Sequence, residues 1–200
     1  MSDFTTWRSL VDGEEIGVIP DAEDFEHNDL SGVYDGDLDQ FDIQTNTVIE
    51  GDFTLEGANP ESHNVMTRTT EDAFERLGLR IDYQQQVSSD VNGGLALMEN
   101  KTGISNNNGY VFQCRTDNDT LTLTEIVDGS IDSIETTSHT FTEDQPFSCS
   151  IELPDNGDLI FNADEASVTV TNDTRFTELN LAWHTFRGSW FADDVQFSSL

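Results

Sequence analysis

The sequence predicts an all-β protein: an antiparallel β-sandwich over residues 24–200, preceded by a short N-terminal arm over residues 1–23. Three observations carry that prediction. From Phe25 onward the apolar residues recur with a period of two. Turn residues punctuate the chain at intervals of roughly ten. Helical spacing is almost absent, with a single helical turn suggested at Glu71 to Arg76.

The arm comes first. Trp7, Leu10, Val11, Ile16, Val18 and Ile19 are interrupted by Asp12-Gly13 and closed by Pro20-Asp21. That reads as a short hairpin, too small to fold alone, which docks on the sandwich or on a neighbouring subunit. Phe41, Ile43 and Thr45 then alternate with polar residues, and Phe53 and Leu55 do the same after Gly51. Leu77, Leu79, Ile81 and Tyr83 form one apolar row, with Arg80, Asp82 and Gln84 on the opposite face. Gly94 to Met98 and Tyr110 to Arg115 are strands separated by Asn106-Asn107-Asn108-Gly109. Leu121, Leu123 and Ile126 lead to Asp128-Gly129, a hairpin signal. Phe141, Phe147 to Leu153, Leu159 to Asn162, Val168 to Thr171, Leu179 to Phe186 and Trp190 to Phe197 complete the pattern. There is no internal repeat and no low-complexity linker.

Forty Asp and Glu stand against 8 Lys and Arg, giving a formal net charge of -32, and Lys101 is the only lysine. The acids are dispersed from Asp3 to Asp194 among 13 Phe and 3 Trp, which excludes a disordered acidic tail. A folded domain of this charge repels itself in dilute buffer. At molar salt the screening length falls to about 3 Å and the repulsion vanishes. The composition therefore predicts a protein of an extreme halophile or of its virus. The same field argues against nucleic acid and anionic membrane surfaces as partners. No stretch approaches the roughly 20 apolar residues of a membrane helix. The opening MSDFTTWRSL has neither a Sec nor a twin-arginine leader, so export by those routes is not expected.

Catalytic signatures are missing. Glu125 to Asp128 and Asp132 to Glu135 have the wrong spacing for a glycosidase strand. No Gly-x-Ser-x-Gly, His-x-x-x-His or phosphate loop is present. His27, His63 and His139 read as surface or turn histidines. Cys114 and Cys149 lack the spacing of a zinc or thioredoxin-like motif, and either form one disulfide or stand as two buried thiols. Asn100-Lys101-Thr102, Asn118-Asp119-Thr120 and Asn172-Asp173-Thr174 match the glycosylation sequon in turn-like contexts. What remains is a binding face: Arg80, Asp82 and Gln84, then Gln113 and Arg115, then Asn180 and His184, all opposite the apolar rows.

Two segments carry a resemblance. The first is Asp24-Phe25-Glu26 and Asp29-Leu30, followed by Phe41-x-Ile43-Gln44, Val48-x-Glu50-Gly51 and Leu55-Glu56-Gly57; the second is Trp190 to Phe197 with its Asp193-Asp194-Val195. Together they resemble concanavalin A-like jelly-roll lectins and carbohydrate-binding modules, in the form found in haloarchaeal and haloviral surface proteins. The resemblance implies that the first and last strands pair. It also implies that Glu26 and Asp193 help hold a structural Ca2+, and that a polar sheet face carrying Arg80, Asp82, Gln84, Gln113, Arg115 and His184 contacts glycans. If Phe191, Val195 and Phe197 face the core, alternation turns Asp193 inward with them. The expected function is a non-enzymatic structural component of a haloarchaeal virus particle, a turret, decoration or tail appendage contacting host surface glycans. Its partners would be other virion proteins and its own copies, joined through the arm. A haloarchaeal cell-surface carbohydrate-binding module is the alternative, with an extracellular location.

Overall fold

The computed structural model describes residues 10–11, 14–15, 25, 30–49, 51, 54–58, 61–69, 73–75, 78–173, 175–176 and 178–200. In the arm, β1 (Leu10–Val11) pairs antiparallel with β2 (Glu14–Glu15). Trp7, Ile16, Val18, Ile19 and Glu26 lie outside the described residues, so the arm's docking and half of the expected calcium pair lie there too.

The rest is β3 (Tyr34–Gly36), β4 (Phe41–Gln44), β5 (Thr54–Gly57), β6 (Asn64–Arg68), β7 (Phe74–Glu75), β8 (Leu79–Val87) and β9 (Asn92–Met98). There follow β10 (Gly109–Arg115), β11 (Thr120–Val127), β12 (Ser130–Ser138), β13 (Phe147–Leu153), β14 (Leu159–Ala163), β15 (Ala166–Val170), β16 (Glu178–Arg187) and β17 (Trp190–Ser199). Leu38–Gln40 is one 3-10 turn. An eight-stranded sheet has the order β12-β11-β10-β9-β16-β6-β3, with β7 also paired to β16. A seven-stranded sheet has the order β15-β14-β13-β8-β17-β5-β4. The pairings between these strands are antiparallel.

Between the sheets lies the main core. β8 shows its logic: Leu79, Ile81, Tyr83, Gln85 and Val87 are buried, while Arg80, Asp82, Gln84 and Gln86 are half-exposed. Its centre is aromatic. Trp183 stacks on Trp190 at 5.4 Å, Phe25 and Tyr83 meet Trp183 edge-on at 5.9 Å each, and Phe112 meets Phe161 at 5.5 Å. Each such buried ring contributes roughly 1.5–3 kcal/mol. Cys114 and Cys149 are buried free thiols in this core. Burial, and then its hydrogen bond with Cys149, pushes the Cys114 thiol well up from its ordinary range, which opposes thiolate chemistry.

Three expectations need correction or addition. The helical turn suggested near Glu71 to Arg76 is not there in its described part: Phe74 and Glu75 pair with Leu179 and Glu178 as β7. The strands β3, β6 and β12 went unread. β12 is polar and largely exposed because it is an edge; Ile134 packs on the main core and Ile131 on the opposite face of the sheet. The strand is nonetheless joined to β11 at the expected Asp128-Gly129, both at positive φ (51 and 79), the geometry of a two-residue hairpin turn. Lastly, β17 does not alternate straight through. Trp190 and Ala192 face the core, opposite Val87 and Gln85; the register then shifts between Asp193 and Gln196, with Asp194 at φ 51. Val195 is buried after that bulge and Phe197 packs beside it, whereas Phe191 belongs to the opposite row. Asp193 is buried, as anticipated, but on the row of Phe191 and Gln84 and not by alternation with the core.

Candidate functional site

The eight-stranded sheet turns a second face away from the main core, and pairing registers define its rows. At one end Val65, Ala96, Met98, Val111, Ile126 and Ala182 form a small apolar cluster under Ile104 and Ile131. Ile104 comes from the 99–108 connection. That connection is held by the buried amide of Asn107, which donates to the carbonyls of Asn100, Thr102 and Gly103. Toward the other end the face becomes polar. Gln113 stands opposite Thr122, and Thr122 opposite Thr136. His184 stands opposite Gly94 on one side and Val65 on the other. In the next row Arg187 and Arg115 flank Asn92, and Arg115 stands opposite Thr120.

A bonded layer lies beneath that end. Thr124 donates to Gln113 Oε1 at 2.7 Å, and Gln113 Nε2 donates to Asn92 Oδ1 at 2.6 Å. Thr122 and Thr136 share a hydroxyl bond at 2.9 Å. His184 Nε2 and His63 Nδ1 are 2.9 Å apart, and His63 stacks on Phe186 at 4.1 Å with the rings 10° from parallel. The guanidinium of Arg187 lies 4.9 Å from the centre of the same Phe186 ring. Burial, then His63 and Arg115, lowers His184 to about 3; burial, then Arg115 and Arg187, lowers His63. Both imidazoles are therefore neutral at pH 7. Arg115 is fixed by a two-pronged bond to Asp117 at 2.9 and 2.8 Å. Asn92, Gln113, Thr122, Thr124 and His184 are buried, whereas Arg115, Thr120, Phe186 and Arg187 reach solvent. The arrangement is a rigid polar floor presenting a few accessible groups, which suits recognition of a polar ligand.

No protein-family model matches this sequence, and no curated protein matches it. Its structure has many counterparts. The exoplasmic/lumenal domain of VIP36, in a form bound to Ca2+ and Man3GlcNAc, superposes with a TM-score of 0.59 at 10% identity over 84% of this chain and 90% of that one. The carbohydrate-binding module CBM66 from Bacillus subtilis gives 0.57 at 12% identity over 80% and 96%. The cellulose induced protein Cip1 gives 0.57 at 10% over 90% and 98%. The chain has a concanavalin A-like lectin sandwich fold. At such identities the likeness establishes the fold alone.

The structure divides the residues singled out from sequence. Gln113, Arg115 and His184 share the polar end just described. Arg80, Asp82 and Gln84 lie on β8, in the other sheet. There Arg80 bonds Asp82 at 2.7 Å and Glu152 at 2.5 Å, and Gln84 donates to Ser148 at 3.0 Å. Asn180 is buried, donating to the carbonyls of Met98 and Glu99. Asp193 Oδ2 accepts from Thr54 at 3.1 Å and Oδ1 from the Asp194 N–H at 2.8 Å. Among the described residues no group of three His, Cys, Asp or Glu could hold a metal ion. Glu125, once weighed as a glycosidase carboxylate, is clamped with Asp173 by Arg175, which bonds both. A surface hollow of about 390 Å³ beside Leu38 and Phe41 contains none of the residues singled out.

His63, expected at the surface, is half-buried because Phe186 and His184 pack on it. Asn92, Phe186 and Arg187 were also missed. The sequence did not set Arg187 apart: Arg80, Arg115 and Arg175 each have an acid two positions away, but Arg8, Arg68 and Arg76 lack one there as Arg187 does.

Proposed function

We propose that this chain is a non-enzymatic, lectin-like structural component of a halophilic virus particle that contacts host surface glycans. The observation that carries the glycan half is the polar end of the eight-stranded sheet. Arg115, Thr120 and Arg187 face solvent there over a floor already bonded through Asn92, Gln113 and Thr122. Sugar hydroxyls demand donors and acceptors in fixed positions, and a preformed floor spares the cost of ordering them on binding. Gln113 and His184 act in this reading as supports for the accessible groups. The sugar-bound and carbohydrate-binding proteins among the structural neighbours favour the same ligand class. Glu125 and Asp173, both tied up in ion pairs with Arg175, favour a binding role over a catalytic one.

The virion half is supported by the dispersed charge of -32 and by the apolar arm over residues 1–23, which would join other virion proteins or a second copy. A haloarchaeal cell-surface carbohydrate-binding module would share the site and the salt adaptation but not the assembly. Calcium at Asp193 and Glu26 belongs to the same proposal.

One set of titrations at about 2 M KCl, where exposed charges are screened, tests the whole reading. A glycan from a broad panel is expected to bind the full chain, and Arg115→Ala to weaken it by about tenfold, as for a residue central to an interface. A panel with no binder would end the glycan reading. In the same buffer, a light-scattering mass above that of one chain supports assembly, and a monomer favours the free module. A chelator that lowers the melting temperature of the parent but not of Asp193→Ala supports calcium; equal melting rejects it.

A further inference from the structure

We propose that the ligand of this face is an acidic glycan, and that Arg187 binds its oxyanion, a carboxylate or a sulfate. This rests on the reading of the face as glycan-binding and adds the charge class of the sugar.

The motive is how the chain disposes of its cations. With 40 acids against 8 basic residues, an arginine has an abundance of carboxylates to pair with. Arg80, Arg115 and Arg175 each do so at hydrogen-bond distance. Arg187 is exposed and has no carboxylate partner among the described residues; it lies over the Phe186 ring instead. A cation held over a ring uses its charge but none of its N–H donors, so the fork that matches an oxyanion remains free. Phe186 is itself stacked on His63, which is bonded to the fully buried His184, so the guanidinium rests on a pile anchored in the sheet. Arg115 stands in the same row across Asn92. Burial first, and then both guanidinia, hold His63 toward the neutral form, so the imidazole does not itself compete for the anion. The bland alternative is that Arg187 is a solvated cation serving only to cover Phe186. An acid in reach would have done as much, yet Thr185 and Ser189 stand at the spacing where Arg80, Arg115 and Arg175 each have one.

The test is calorimetric titration of the full chain at about 2 M KCl, which screens long-range attraction and leaves short charge-assisted bonds to decide. The probes are three oligosaccharides of one backbone, carrying a uronate, a sulfated sugar or the neutral hexose at the same position. The acidic probe is expected to bind about tenfold or more tighter than the neutral one, the range of one net charge-assisted hydrogen bond. Arg187→Gln should abolish that preference while leaving the circular dichroism spectrum unchanged, and Arg187→Lys should restore part of it. Whichever acidic arm prevails names carboxylate or sulfate. Equal binding of neutral and acidic probes, or a preference that survives Arg187→Gln, overturns the inference and leaves the glycan reading standing. Failure of all three probes, and of the wider panel, removes both.

Discussion

His184 is where the chemistry of a single residue shows most clearly. It is fully buried at the polar end of the sheet, and its imidazole is lowered from 6.5 to about 3 by burial first, then by His63 and Arg115. In the unfolded chain the same ring takes up a proton near pH 6.5. Between those two values the unfolded state binds a proton that the folded state refuses, so stability falls as pH drops through that window and is indifferent above it. One such group contributes at most about 1.4 kcal/mol per pH unit. Melting temperature in molar salt should therefore be flat above neutrality and decline below pH 6.5, and His184→Gln should flatten the decline before the carboxylates begin to titrate. An identical slope in parent and variant would show that the buried pair does not govern acid stability. The sequence marked His184 as facing away from the apolar row. It did not mark His63 as its neighbour, because the two are 121 positions apart and only the pairing of β16 with β6 brings them together.

Among the elements, β17 and its contacts decide how the layers fit. Trp190 enters the core opposite Val87 on one side and Gly57 on the other. Glycine at 57 and 93 is what makes room: a Cβ at either position would overlap the Trp190 indole. At Gly93 it would also crowd the His184 carbonyl oxygen at 2.8 Å. Gly93→Ala and Gly57→Ala are each expected to cost roughly 1–3 kcal/mol through overpacking. Thermal denaturation of each variant checks this, and an unchanged melting temperature would mean the tryptophan can move aside. Asp193, the last residue before the bulge, lies on the row opposite Trp190 and Ala192, where the hydroxyl of Thr54 donates to it while accepting the Ile49 N–H. From sequence, the apolar rows of β8 and β16 were legible because each strand is amphipathic. The bulge was not, since a register shift depends on the facing strand and leaves no mark in the residues themselves.

At the scale of the whole molecule, charge governs. A folded sandwich with a formal charge of -32 must confine its own repulsion, and in low salt nothing screens it. Circular dichroism is expected to show β structure lost on dilution from molar salt to below about 0.15 M, where the screening length exceeds some 8 Å and neighbouring carboxylates repel one another. Full structure and an unchanged melting curve in dilute buffer would defeat the salt-adaptation reading. The short links between arginines and nearby acids soften this repulsion only locally. Arg80, half-exposed between Asp82 and Glu152, adds little to stability once salt screens it.

The sequence by itself determined the fold class, most of the strands, the charge regime and the absence of catalytic spacing. Those are properties of local alternation, turn chemistry and composition, each complete within a short stretch of chain. Only the tertiary structure decided which polar rows share a face. Arg80, Asp82 and Gln84 present the same alternating pattern as Gln113 and Arg115, yet β8 and β10 belong to different sheets and their outward rows point to opposite sides of the sandwich. Alternation tells each strand which side is inward. It carries no information about which sheet the strand will join, because that choice is made by pairing partners far away in the chain.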